Sequence, residues 1–87
     1  MNNKEMNKME VINRPGHYVG LEGLEVEEVL RNFMPKYGDG YLAHRIASAM
    51  EYLLRAPQKN GIEDLRKARK CVDMAIEYME TSDDDQQ

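Results

Sequence analysis

Cysteine is nearly missing from this chain of 87 residues: Cys71 stands alone, so no internal disulfide can staple the fold. One cysteine with His17 and His44 also offers no zinc-ligand spacing, and neither a metal nor another cofactor is expected. No apolar run approaches the roughly 18 residues of a membrane span, and the Asn- and Lys-bearing start has no signal-peptide core. With a lone thiol suited to a reducing compartment, these absences point to a cytoplasmic protein with no membrane partner. A basic excess is missing too. The net charge is −4, and Asp83, Asp84 and Asp85 supply three of those negatives, which leaves residues 1–82 at a net −1. Neither DNA nor RNA is therefore an expected partner, because a phosphate-tracking surface needs a basic face. A local cationic pocket is compatible with that balance.

What is present suits one small helical domain. A chain this short buries only about 60–65% of its unfolded surface, so a homo-oligomer is the expected way to gain buried area. Residues 1–10 are polar and aperiodic and are expected to be flexible; residues 11–80 form a single helical domain; residues 81–87 read as a disordered acidic tail. Val11 to Val19 reads as extended, since Arg14 precedes Pro15 and Gly16 permits a turn.

Apolar spacing then predicts three helices. The first, Leu24 to Met34, places Val26, Val29, Leu30 and Phe33 on one stripe and stops at Pro35. Its Glu25, Glu27 and Glu28 complement the helix dipole. Asp39 fits the cap of the second helix, Tyr41 to Ala56, whose apolar arc (Leu42, Ile46, Ala49, Met50, Leu53) is wide enough to be covered on two sides. Another edge of that helix carries Tyr41, Arg45, Ser48, Tyr52 and Arg55. The third helix, Ile62 to Glu80, has Leu65, Ala68, Val72, Ala75, Ile76 and Met79 as its core seam. Arg66, Lys70, Asp73 and Glu77 make its solvated face, and Met74 and Tyr78 on its flank are candidates for a subunit contact. The fold expected is all-α: a three-helix domain with a tight hairpin of helices two and three and an extended N-terminal loop.

The corner of that hairpin, Tyr52 to Ala68, concentrates the chemistry. Pro57 ends one helix, while Asn60 and Glu63 fit a capping box opening the next. Arg55, Lys59, Asp64 and Lys67 crowd beside a helix N-terminus that favours an anion. Two readings follow. Arg45, Arg55, Lys59 and Lys67 hold phosphates by charge-assisted hydrogen bonds, or Arg55 pairs with Asp64 and Lys67 with Glu63 inside the chain. His17 and Tyr18 pose the same choice: Tyr18 stacks on a base with His17 at a phosphate, or Tyr18 packs on the core and His17 caps a carbonyl. Tyr41 and Tyr52 suit a purine or a core edge, and His44 reads as a partly exposed helix residue. No catalytic residue is assigned. The Gly-x-x-x-x-Gly-Lys-Ser/Thr loop of common phosphoryl transferases is absent. Glu25-x-x-Glu28 matches half of the Mg²⁺-binding carboxylate pattern of all-α nucleotide pyrophosphohydrolases, but the other half is missing.

The order Asn13-Arg-Pro-x-His-Tyr18, then Tyr52-Leu-x-Arg-Ala-x-x-Lys-x-Gly-x-x-Asp-Leu-x-Lys-Ala68, resembles a small bacteriophage family described as nucleotide-kinase-like. Its domain also occurs within a coliphage nucleotide kinase, and the resemblance covers about residues 12–79. Arg14, His17, Tyr18, Tyr52, Arg55, Lys59, Asp64 and Lys67 match its pattern by position. Ala47, Ser48 and Glu51 stand where the family carries a Gly-Asn pair and a Lys, and Pro57-Gln58 replaces its Gly-Lys. The resemblance implies a nucleotide-type ligand, and the lost cations favour binding over phosphoryl transfer. The expectation is a phage protein of the infected host's cytoplasm. It would sequester an immune cyclic nucleotide or ADP-ribose-type messenger at or near a subunit interface through Arg14, His17, Tyr18, Arg45, Tyr52, Arg55, Lys59 and Lys67. A deoxynucleoside monophosphate kinase, or another enzyme of nucleotide metabolism, is the alternative. A helical interaction module without a ligand is the third.

Overall fold

The computed structural model describes residues 16–86, with side chains through residue 82. Arg14 and the segment 1–10 lie outside the described residues. Three helices follow in order: α1 (Val26–Phe33), α2 (Gly40–Arg55) and α3 (Ile62–Gln86). Short 3₁₀ turns at Gly16–Tyr18, Met34–Tyr37 and Ala56–Gln58 precede and join them. Among the described residues the only extended pairing is an isolated antiparallel bridge between Val19 and Glu25. The all-α domain expected from the sequence is the one observed, with α2 and α3 packed along each other as a hairpin. No described helix is long and apolar enough to cross a membrane.

Local chemistry explains the joints. Gly20 donates its N–H to the Leu24 carbonyl at 2.8 Å, and this with the Val19–Glu25 bridge holds Leu24 in the loop, so α1 starts later than its apolar spacing suggests. Gly16–Tyr18, expected to be extended, instead curls into a turn closed by Val19 N–H on the Gly16 carbonyl at 3.3 Å. Asp39 is the N-cap of α2, its Oδ1 accepting the Leu42 N–H at 3.0 Å, as its position before the helix predicts. Pro57 admits one further 3₁₀ turn before the corner, and Gly61 completes it at φ 54°, a left-handed conformation that glycine adopts without steric cost. After Gly61 no glycine or proline interrupts the chain, and α3 runs to Gln86 past the expected end at Glu80.

Packing keeps Ala68 and Ala75 of the expected seam on α3 and departs from the rest of it. Buried residues there are Asp64, Ala68, Cys71 and Ala75, recurring at i, i+4, i+7 and i+11 and facing Ala49 of α2 through Ala68 and Cys71. Leu65, Val72, Ile76 and Met79, read from sequence as core, are 36–50% exposed. The reason is the helix's rotation. Asp64 reaches zero exposure against Arg55, and the small residues that share its face let the two helices approach closely. That turns the larger aliphatic stripe aside. On the other flank of α2, Val26 and Leu30 of α1 are buried while Phe33 is 54% exposed.

Candidate functional site

Arg55 ends α2 and Asp64 lies in the first turn of α3, so the turn between them brings the pair face to face. Arg55 Nε donates to Asp64 Oδ2 at 3.2 Å and Nη2 donates to Oδ1 at 3.0 Å, a bidentate fork. Asp64 Oδ2 also accepts the Asn60 backbone N–H at 3.1 Å. Asp64 therefore supplies the reach-back half of a capping box that the sequence had suggested for Glu63. The Arg55 guanidinium, followed by burial and the Asn60 N–H acting in opposite senses, leaves the Asp64 carboxyl below its ordinary range. Asp64, then Tyr18, holds Arg55 above its own ordinary value.

The same arginine ties the N-terminal loop to the corner. Its Nη1 donates to the Tyr18 hydroxyl at 3.1 Å, and the His17 ring sits 4.4 Å from that of Tyr18. Tyr18 thus serves as a loop anchor through its hydroxyl. Tyr52, one turn before Arg55, lies under two cations: Arg55 Cζ is 4.7 Å and Lys67 Nζ 5.7 Å from its ring centre. Lys67 also reaches Glu63 at 3.7 Å, a pair more than 40% exposed on both sides and weak on that account.

Toward the open end of the hairpin the face continues through Arg45, Tyr41 and Tyr78. Tyr41 and Tyr78 meet at 4.7 Å, and Arg45 Cζ lies 5.1 Å from the Tyr41 ring. Arg45 Nε is sealed from water and has no hydrogen-bond partner among the described residues. The Tyr78 hydroxyl donates to Asp39 Oδ2, so Tyr78, a sequence candidate for a subunit contact, is engaged inside the chain. That bond and the Leu42 N–H draw the Asp39 carboxyl down, while Asp39 raises the Tyr78 phenol. The Asp39–Tyr78 link spans 39 positions and carries no local sequence signal.

The structure therefore gathers Tyr18, Tyr52, Arg55 and Lys67 into one connected cluster, with His17 beside it and Arg45 two turns along the same face of α2. Lys59 is exposed in the turn with no ion pair among the described residues, His44 is exposed on α2, and Arg14 lies outside the described residues. Two of the recesses among the described residues lie one beside this cluster and one away from it. One of about 170 Å³, lined by His17, Tyr18, Val26, Val29 and Leu54, is well under the roughly 300 Å³ at which ligand pockets begin. The other, about 380 Å³ between α1 and α2, is large enough, but Val29, Phe33, Ile46 and Met50 make it apolar and Lys36 is its one charged group among the described residues. Among the described residues no three His, Cys, Asp or Glu side chains cluster as a metal site.

Comparison with known proteins gives one family. No curated protein and no solved structure matches the chain. The model of a family described as a protein of unknown function, DUF3310, matches residues 12–73, a span that includes the loop anchor, α1, α2, the corner and the first half of α3. The chain belongs to the DUF3310 family.

Proposed function

We propose that the chain binds a nucleotide-type small molecule on the tyrosine face of the α2–α3 hairpin and holds it without turning it over. The observation that carries this reading is Arg45, whose Nε is buried and unpaired beside the Tyr41 ring. A buried donor left without an acceptor costs about 1–3 kcal/mol, which favours turning the Arg45 guanidinium outward, and a phosphate oxygen is the acceptor it then takes most strongly. Tyr52, seven residues on and about 10 Å along the helix, offers a ring for a base or ribose. Lys67 and Lys59 supply further charge, with His17 at the rim. Arg55, its fork closed on Asp64, positions Tyr18 and Tyr52 in this reading.

The resemblance to bacteriophage nucleotide-kinase-like proteins supports a guest made by an infected host, such as a cyclic nucleotide or an ADP-ribose derivative. Sequestration needs affinity alone, which suits a chain lacking the family's Gly-Lys at Pro57-Gln58. Thermal denaturation against mononucleotides, cyclic dinucleotides and ADP-ribose derivatives tests the reading, because a bound guest raises the melting temperature. A panel that leaves the transition where it was defeats it. Recovery of the guest unchanged after denaturation supports sequestration, whereas phosphate transfer from ATP to a deoxynucleoside monophosphate with Mg²⁺ would make the protein a kinase.

A further inference from the structure

We propose that the exposed apolar stripe of α3 is a self-association surface on which two copies of this chain pair antiparallel. Ile62, Leu65, Val72, Ile76 and Met79 are 36–63% exposed although each is large and aliphatic. With Arg69 they fall at residues 62, 65, 69, 72, 76 and 79, the alternating three–four spacing of a coiled-coil seam. This seam lies about 100° around α3 from the Asp64–Ala68–Cys71–Ala75 face that packs on α2. Among the described residues it is a second face, left open once the hairpin has formed.

Two features select a second copy of this chain as its occupant. The stripe maps onto itself when reversed about the midpoint between Lys70 and Cys71: Ile62 meets Met79, Leu65 meets Ile76, and Arg69 meets Val72. An isologous antiparallel pair therefore places a residue of the stripe opposite every other, as two-fold symmetry requires. Charge gives the same direction. Exposed Arg66, Arg69 and Lys70 occupy the first half of α3, exposed Asp73, Glu77 and Glu80 the second, and no Lys or Arg follows Lys70. Arg66, Asp73 and Glu80, at steps of seven, line one border of the stripe. Antiparallel pairing sets Arg66 of one copy against Asp73 and Glu80 of the other, whereas parallel pairing sets Arg69 against Arg69 and the two basic halves at one level. Arg69 lays its aliphatic stem on Val72 and carries its charge toward the acidic half of the second copy. The tyrosine face, on the opposite flank of α3, stays open in this dimer, so the inference stands or falls apart from the proposed function.

Light scattering on the full chain reads the assembly. The expected mass is twice the 10.1 kDa of one chain, and Ile76→Asp should return it to one. Arg66→Glu should raise the dissociation constant about tenfold or more, since symmetry applies the change twice. The triple swap Arg66→Glu/Asp73→Arg/Glu80→Arg should restore the dimer. These three side chains are exposed, so circular dichroism should stay native even if Ile76→Asp unfolds the chain. Spin labels on Ile62→Cys in a Cys71→Ala background report direction. Antiparallel copies separate them by about 26 Å or more, parallel copies by about 10 Å. A monomeric wild type, a mass unmoved by both Ile76→Asp and Arg66→Glu, a triple swap that fails to restore the pair, or the short label distance would each overturn the proposal.

Discussion

Arg55 and Asp64, nine residues apart, close the hairpin corner on itself: Nε and Nη2 of the arginine sit 3.2 and 3.0 Å from the two carboxylate oxygens, and the acid is wholly buried. Breaking one side of such a pair leaves an uncompensated charge in the interior. Asp64→Asn should therefore lower the melting temperature by more than about 10 °C, read by circular dichroism. Arg55→Lys keeps the charge but loses both the fork and the reach to Tyr18, and should rescue little. Near-wild-type melting in both variants would show the corner to be held by packing alone.

Stability should also fall in acid. The carboxyls of Asp64 and Asp39 are both held below their ordinary values in the folded chain, so the folded state releases those protons more readily than the unfolded one. Their contribution is fully present above about pH 4 and is lost as the pH drops through the depressed folded values. Tyr78 is raised, so its contribution is present below about pH 10 and declines as the pH climbs toward its folded value. Urea midpoints measured from pH 2 to 7 should slope steeply at the acid end, and Asp39→Asn should flatten part of that slope.

Gly61 holds φ 54° with open space around the place a Cβ would occupy. Gly61→Ala meets no clash and costs only the left-handed backbone, about 1–2 kcal/mol. Gly61→Asn should cost less, because asparagine tolerates that region. Equal melting of the two variants would argue that the corner relaxes to another turn.

Arg45 separates folding from binding. Its unpaired Nε costs the free fold at least as much as the contact with the Tyr41 ring returns, so Arg45→Met should leave the melting temperature unchanged or raise it. The same change should weaken nucleotide binding about tenfold or more. Lost stability with unchanged affinity would give Arg45 a structural role instead.

Much of this architecture is written in neighbouring residues. Asp39 before the start of α2, Pro57 after its end and Gly61 before α3 act through local donors, fixed φ values and left-handed turns, so the helix count and the hairpin follow from the sequence directly. Both intrachain pairs at the corner, Arg55 with Asp64 and Lys67 with Glu63, were among the sequence alternatives, because i,i+4 spacing and a tight turn limit what each side chain can reach. What the sequence could not decide was rotation. Hydropathy assigned the core of α3 to Leu65, Ala68, Val72, Ala75, Ile76 and Met79; of these the chain buries Ala68 and Ala75, and it adds Asp64 and Cys71 in place of the four larger residues. A bidentate ion pair and close approach through small residues outweigh the larger aliphatic face, and both depend on where α2 lies. The bond from Tyr78 to Asp39 and the orphaned Arg45 Nε belong to the same class. Each exists only once two distant segments share a surface, and no pattern along one helix specifies that surface.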